Sequence, residues 1–225
     1  IISGTSSVFN LEGWNWEDAV LKVDDGIHLN WPSRYLKSNL NNKKKADKSD
    51  DEYIKKVESI KDFFSKSEAY QKAGFHLESN LRYEAMKKIF DKDAKVYVHA
   101  NRIQEILDAI YFFDQFDFNI VLVGANDAWL ASDLLKDRNI PIILRRVHSL
   151  PMNEDDDIDL PFKLPKILSE KGLLVALENS GSMEAMGTRN LPFYAGTASQ
   201  YGVKKEDALS MITLNTAKIL GVESQ

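Results

Sequence analysis

The chain contains no cysteine, which excludes disulfides and thiolate metal sites. It has no apolar run approaching the roughly 20 residues needed to span a bilayer. Nor does it carry an excess of positive charge: 29 Lys and Arg stand against 34 Asp and Glu, a formal net charge of −5. No Lys/Arg stripe is interleaved with aromatics, so the electrostatic footprint of a nucleic-acid binder is missing. The opening Ile1-Ile2-Ser3-Gly4 lacks both a methionine and a signal-peptide pattern. That start predicts truncation, processing or domain cloning, with any targeting signal upstream. What remains, 44 % apolar and 28 % charged residues over 225 positions, is ordinary for a soluble globular protein.

Ile1 to Leu11 mixes β-branched and apolar residues with Ser, Gly and Thr, and predicts a strand. The next stretch, GWNWEDAVLKVDDGIHLNWP, groups Trp14, Trp16 and Trp31 with His28. It reads as a loop and short helix whose tryptophans pack on a rim; the alternative is a substrate-facing aromatic wall with His28 as a polar contact. Asn39 to Glu52 is polar and mixed in charge, which predicts a solvated, mobile loop over residues 39–52. From Tyr53 onward Ile54, Val57, Ile60, Phe63 and Phe64 recur at helical spacing. A second helix is expected from Glu78 to Phe90.

The rhythm then becomes strand and helix in alternation. KVYVHA from Lys95 is a strand, followed by a helix through Ile103, Ile106, Leu107 and Ile110. IVLVG after Asn119 precedes a helix from Ala128 to Leu135, and IPIILRR from Ile140 is a third such strand. LLVALE after Gly172 follows a helix from Phe162 to Glu170. Strands alternating with helices of this length argue for a parallel βαβ architecture. In such folds chemistry sits at the C-terminal strand ends. The candidates there are His99, Asn101 and Arg102, then Gly124 to Asp127, Arg145 to His148, and Glu178 to Ser182. Asn126 and Asp127 suit a helix start. Arg145 or Arg146 could grip a substrate carboxylate bidentately, while His148 reads either as a loop histidine or as a site residue. Glu184 and Arg189, in the loop after the last strand, either face a pocket or pair with each other.

Leu191-Pro192 opens a helix, because proline gives up no hydrogen bond in a first turn. Gly202 ends that helix, another begins at Lys204, and a terminal helix closes on Gly221 as its C-cap. This run resembles the closing segment of the amidohydrolase superfamily, metal-dependent hydrolases built on a (β/α)8 barrel. Leu191, Pro192, Gly202, Ala208, Leu209, Thr213, Asn215, Ala217, Leu220 and Gly221 fill the pattern. The resemblance implies an α/β fold, a partial (β/α)8 TIM-type barrel similar to imidazolonepropionase-like members. Residues 1–225 would be its later portion, since a complete barrel takes about 250 residues and only five convincing strands are legible.

The resemblance also implies chemistry: hydrolysis of a C–N bond in a small non-peptide or cyclic amide by a metal-activated water. His99 in VYVHANR falls on the fifth-strand metal histidine, with zinc first among the divalent ions implied. Asn101 stands where relatives often have a second histidine, and Arg102 matches. The sixth-strand histidine would fall near Val123 or Gly124, and the eighth-strand aspartate on Ser180 or Asn179. Neither ligand is present, and the first-strand His-x-His would lie upstream. Glu178 shares a strand face with Ser180 and is the candidate catalytic base in its stead. Asn101, Arg102, His148, Glu184 and Arg189 are the candidate substrate contacts. Two alternatives stand beside this reading: a catalytically degenerate domain with a binding or structural role, and a metal-free hydrolase using Glu178 or His148. The partners expected are a small-molecule substrate and a missing N-terminal part, or another chain, covering the open strand edges.

Overall fold

The structure, a computed structural model, describes residues 2–34, 46–75, 77–179 and 184–224. Residues 39–45 of the expected loop, His76, Ser180 to Met183 and the Glu184 side chain lie outside the described residues. Six strands form one sheet in chain order: β1 (Ile2–Phe9), β2 (Val20–Asn30), β3 (Lys95–Ala100), β4 (Ile120–Gly124), β5 (Ile142–Arg145) and β6 (Val175–Glu178). β2 to β6 run parallel, and β1 pairs antiparallel with β2. The result is a curled, mostly parallel half-barrel.

β2 corrects the sequence reading, which took its residues for loop and short helix. Only the short part is there, as α1 (Trp16–Ala19), with Asn15 Oδ1 accepting from Asp18 N at 2.9 Å. Three features hid the strand. Lys22, Asp25 and His28 interrupt its apolar alternation, Asp24 adopts a left-handed φ of 52°, and the pairing with β1 shifts register nearby. Of the tryptophans, Trp31 is buried, whereas Trp14 and Trp16 are 96 % and 65 % exposed and do not pack on a rim.

Between β2 and β3 lie α2 (Ala46–Ala73), α3 (Leu81–Glu84) and α4 (Lys87–Phe90). Residues 46–52, expected in a loop, belong to α2. Asp50, Asp51 and Glu52 are exposed there, and Glu52 pairs with Lys56 one turn on at 2.6 Å. The single helix expected from Glu78 to Phe90 is instead two single turns, the first capped by Asn80. After β3 comes α5 (Ile103–Phe113); after β4, a 3-10 turn (Ala128–Ala131) and α6 (Ser132–Asp137); after β5, α7 (Leu160–Glu170). A second 3-10 turn (Glu184–Asn190) leads into α8 (Leu191–Gln200), α9 (Lys205–Ser210) and α10 (Leu214–Leu220).

Parallel strands buried on both faces read as continuous apolar runs, and β4 is buried at every residue. One face carries Leu29, Val98, Leu122, Leu144 and Val175 against the helices, continuous with an aromatic cluster around Phe64. The opposite face carries Tyr97, Val121, Val123 and Ala176, with Ile219 of α10 packed against them. The C-terminal run does its expected work: Gly202 (φ 106°) and Gly221 (φ 71°) take the left-handed backbone that stops α8 and α10. It also meets part of the outer edge of β6. Leu177 N donates to Met211 O at 3.0 Å, and Asn215 Nδ2 donates to Val175 O at 2.8 Å. The pattern residue Asn215 therefore has a structural task, the satisfaction of an edge carbonyl.

Candidate active site at the strand ends

In-register residues of parallel neighbours point to the same side, and successive residues alternate. Tyr97 lies opposite His28, His99 opposite Asn30 and Val123, and Glu178 opposite Arg145. His28, His99, Arg145 and Glu178 thus gather on one face, near the C-terminal ends of β2, β3, β5 and β6. Two neighbouring strands, β4 and β5, end in abrupt turns: after Gly124 (φ 91°), Ala125 (φ 53°) and Arg146 (φ 49°) are non-glycine residues with positive φ, the kind of backbone strain that concentrates at functional positions.

The centre of the constellation is a pair of imidazoles. His28 Nδ1 and His99 Nε2 face each other at 2.8 Å, so one nitrogen carries the proton and the other accepts it. Burial, then the charges of His28 and Arg145, push the His99 imidazole down to about 4. Burial lowers His28 as well, against the opposing pull of Asp25. Both rings are therefore neutral at neutral pH, the state in which imidazole binds a metal or takes a proton.

One layer below, toward the strand starts, sits a second polar group. Asp25 is 1 % exposed, accepts a short hydrogen bond from the Tyr97 hydroxyl, and pairs with Lys22 Nζ at 2.6 Å and Lys95 Nζ at 3.8 Å. Burial and the Asp25 carboxylate push the Tyr97 hydroxyl far above the usual phenol range, so it stays protonated. Burial pulls Lys95 down, and Asp25 resists. The Tyr97 ring stacks on His28 at 4.8 Å and 13°. Sequence reasoning missed Asp25 and Tyr97, and with β2 unrecognised it had no way to set His28 beside His99.

The other candidates divide. Glu178 is on the face of His99 and is engaged by Arg145, with Nε 3.4 Å from Oε1. Asn101 and Arg102 donate their backbone N–H groups to Glu105 Oε2 at 3.2 and 3.3 Å, which fixes the start of α5. The Asn101 side chain fills the space that a Cβ on Gly124 would take, and Arg102 reaches Asn153 Oδ1 at 3.2 Å. Asp127 does cap a helix, although not its own: Oδ2 accepts from Ile103 N of α5 at 3.1 Å. His148 meets Thr197 Oγ1 at 2.7 Å and sits edge-on to Tyr194 of α8. Arg189 is exposed on the second 3-10 turn.

Size does not mark the site. A cavity of about 820 Å³ lies away from the strand ends, under β1 between α2 and α3, lined by Thr5, Ile60, Phe63, Arg82 and Met86. The cleft at the ends of β4 and β5, lined by Asp127, Arg145 and Arg146, offers about 20 Å³, room for one water. The convergent polar groups with perturbed acidity are the better guide. Among the described residues no three His, Asp or Glu side chains come together in a way that could hold a metal ion.

No protein-family model matches the sequence, and no curated protein matches it. Among solved structures the chain is similar to an amidohydrolase from Thermotoga maritima MSB8, with a TM-score of 0.81 at 24 % identity. The match covers 99 % of this chain and 58 % of that protein, so the chain spans a little over half of that protein's length. At this identity the likeness shows the fold: the half-barrel is built as the corresponding part of that protein is built.

Proposed function

We propose that this half-barrel contributes the later strands of an amidohydrolase-type active site, which cleaves the C–N bond of a small amide with the help of a divalent metal ion. The observation that carries the reading is the facing pair His28 Nδ1 and His99 Nε2, 2.8 Å apart at the strand ends. A metal held at about 2.0–2.1 Å from each nitrogen in tetrahedral geometry needs the two about 3.3 Å apart. The two nitrogens, now at hydrogen-bond distance, would have to open to that spacing to hold an ion. Burial disfavours the charged form of both rings, so the one proton that would have to move is the one shared between the facing nitrogens, which would shift to the far nitrogen of its ring.

The pair fits a metal as half of its ligand set, since zinc sites use three or four protein ligands. The remaining donors would come from outside the described residues. The chemistry that such an ion supplies is an acidified water and a polarised amide carbonyl. This chain's own part is to hold the ion through His28 and His99. Arg145, whose charge reaches His99, would orient an anionic or carbonyl oxygen of the substrate. Asn101, Arg102, His148, Glu184 and Arg189 remain candidates for further substrate contacts.

The pairing of Glu178 with Arg145 favours a second reading, a catalytically silent domain of the same fold. An ion-paired carboxylate is a poor base toward a water. Elemental mass spectrometry of the protein purified without chelator separates the two. At least one divalent ion per chain, lost together with amide hydrolysis when His28 and His99 are both replaced by Ala, supports the hydrolase. A protein that stays empty after zinc or manganese is added, and cleaves no amide, rules it out.

A further inference from the structure

We propose that Tyr97 is the positioning residue of the histidine pair: its hydroxyl is anchored on buried Asp25, and its ring is the platform that holds His28 Nδ1 toward His99 Nε2. The inference rests on that pair being the working part of the site. The Tyr97 ring lies parallel to His28, with centroids 4.8 Å apart, while His28 and His99 are tilted by 37°. Stacking of this kind restrains the plane of the His28 ring, and with it the direction of Nδ1.

The neighbouring strand is shaped around the platform. A Cβ on Gly26 would stand 2.5 Å from Tyr97 Cε2 and 2.6 Å from the Lys95 carbonyl oxygen. Gly26 is not among the positive-φ residues, so the glycine is required for space rather than for backbone conformation. Anchoring adds a second constraint. Apolar packing beside Val121, Val123 and Ala176 needs no hydroxyl, and burying a carboxylate is costly unless it is fully paired. Asp25 is paired with Lys22 and Lys95. Both ammonium groups also donate to the Leu220 carbonyl at 3.3 Å, where the C-terminal end of α10 attracts cations. The sequence of supports therefore runs from α10 through the two lysines to Asp25, then to Tyr97, His28 and His99.

Imidazole 15N NMR on chelator-treated protein tests this without reference to metal or activity. It reads which nitrogen of each histidine carries its proton, and whether that proton is protected in a His28–His99 hydrogen bond. The expected wild-type result is one shared, slowly exchanging proton with a fixed tautomer on each ring. Tyr97→Leu, which keeps bulk without a flat face, loses that signature while the fold persists. Tyr97→Phe restores it, with faster exchange, because the ring is present without its anchor. Gly26→Ala, whose Cβ presses on both the Tyr97 ring and the Lys95 carbonyl oxygen, loses it too, and Tyr97→Met, again without a flat face, decides the matter if Tyr97→Leu fails to fold. Wild-type signals in folded Tyr97→Leu or Gly26→Ala protein overturn the inference and leave Tyr97 as packing. A wild-type protein with no shared proton would undermine the histidine site itself, a different failure.

Discussion

A histidine held neutral in the folded protein makes stability depend on pH in one direction. His99 is pushed from an ordinary 6.5 to about 4. Between those values the unfolded chain binds a proton that the folded chain refuses. Its contribution is complete above about pH 6.5 and is lost as pH falls toward about 4. At about 1.36 kcal/mol per decade, the displacement corresponds to an upper bound of about 3 kcal/mol. The ring is only half-buried, and solvent screens the part that comes from neighbouring charges, leaving about 1–2 kcal/mol. Urea unfolding of wild type and His99→Gln, in steps from about pH 7 to about pH 4, isolates the effect, because carboxylate titration is common to both. Wild type should lose about 1–2 kcal/mol more than the variant across that window. Parallel curves for the two proteins would refute the neutral, half-buried imidazole.

Two predictions concern the scaffold. Phe64 is fully buried among Phe63, Phe112, Phe113, Phe116 and Phe118. Phe64→Ala should cost about 3–5 kcal/mol in denaturant unfolding, and a loss under about 1 kcal/mol would mean the cluster is not a packed core. Asn215→Ala removes the donor to the Val175 carbonyl and should cost about 1–2 kcal/mol. Hydrogen exchange at Leu177 N, whose partner Met211 O lies on the same segment, should quicken in step; unchanged exchange would show that the segment does not seal β6.

Most of the fold was legible because its signals are local. Continuous apolar runs marked β3 to β6, helical spacing marked α2 and α5, and Gly202 and Gly221 marked two helix ends. β2 was not legible, and the reason is physical. Its inward positions hold Gly26, His28 and the neighbouring Asp25 where an ordinary strand would hold apolar residues, and the left-handed Asp24 breaks its period. A strand that departs from binary patterning at consecutive inward positions does so where function or strain requires it. His99 was found from its place at a strand end, whereas its partner His28 is 71 residues away in sequence, and only the parallel register of β2 and β3 brings the two together. The assignment of Asp127 to a helix start was right in kind and missed the helix, because side-chain capping across strand ends is a tertiary contact.

The central claim is that His28 and His99 are two nitrogen ligands for one divalent ion. Cobalt(II) titration of the protein, followed by visible absorption and by X-ray absorption at the metal edge, tests it most directly. The account predicts a stoichiometric site with nitrogen scatterers at about 2.0–2.1 Å, weakened at least tenfold by either His28→Ala or His99→Ala. Cobalt bound equally well by the double variant, or not bound by the wild-type protein, would contradict it.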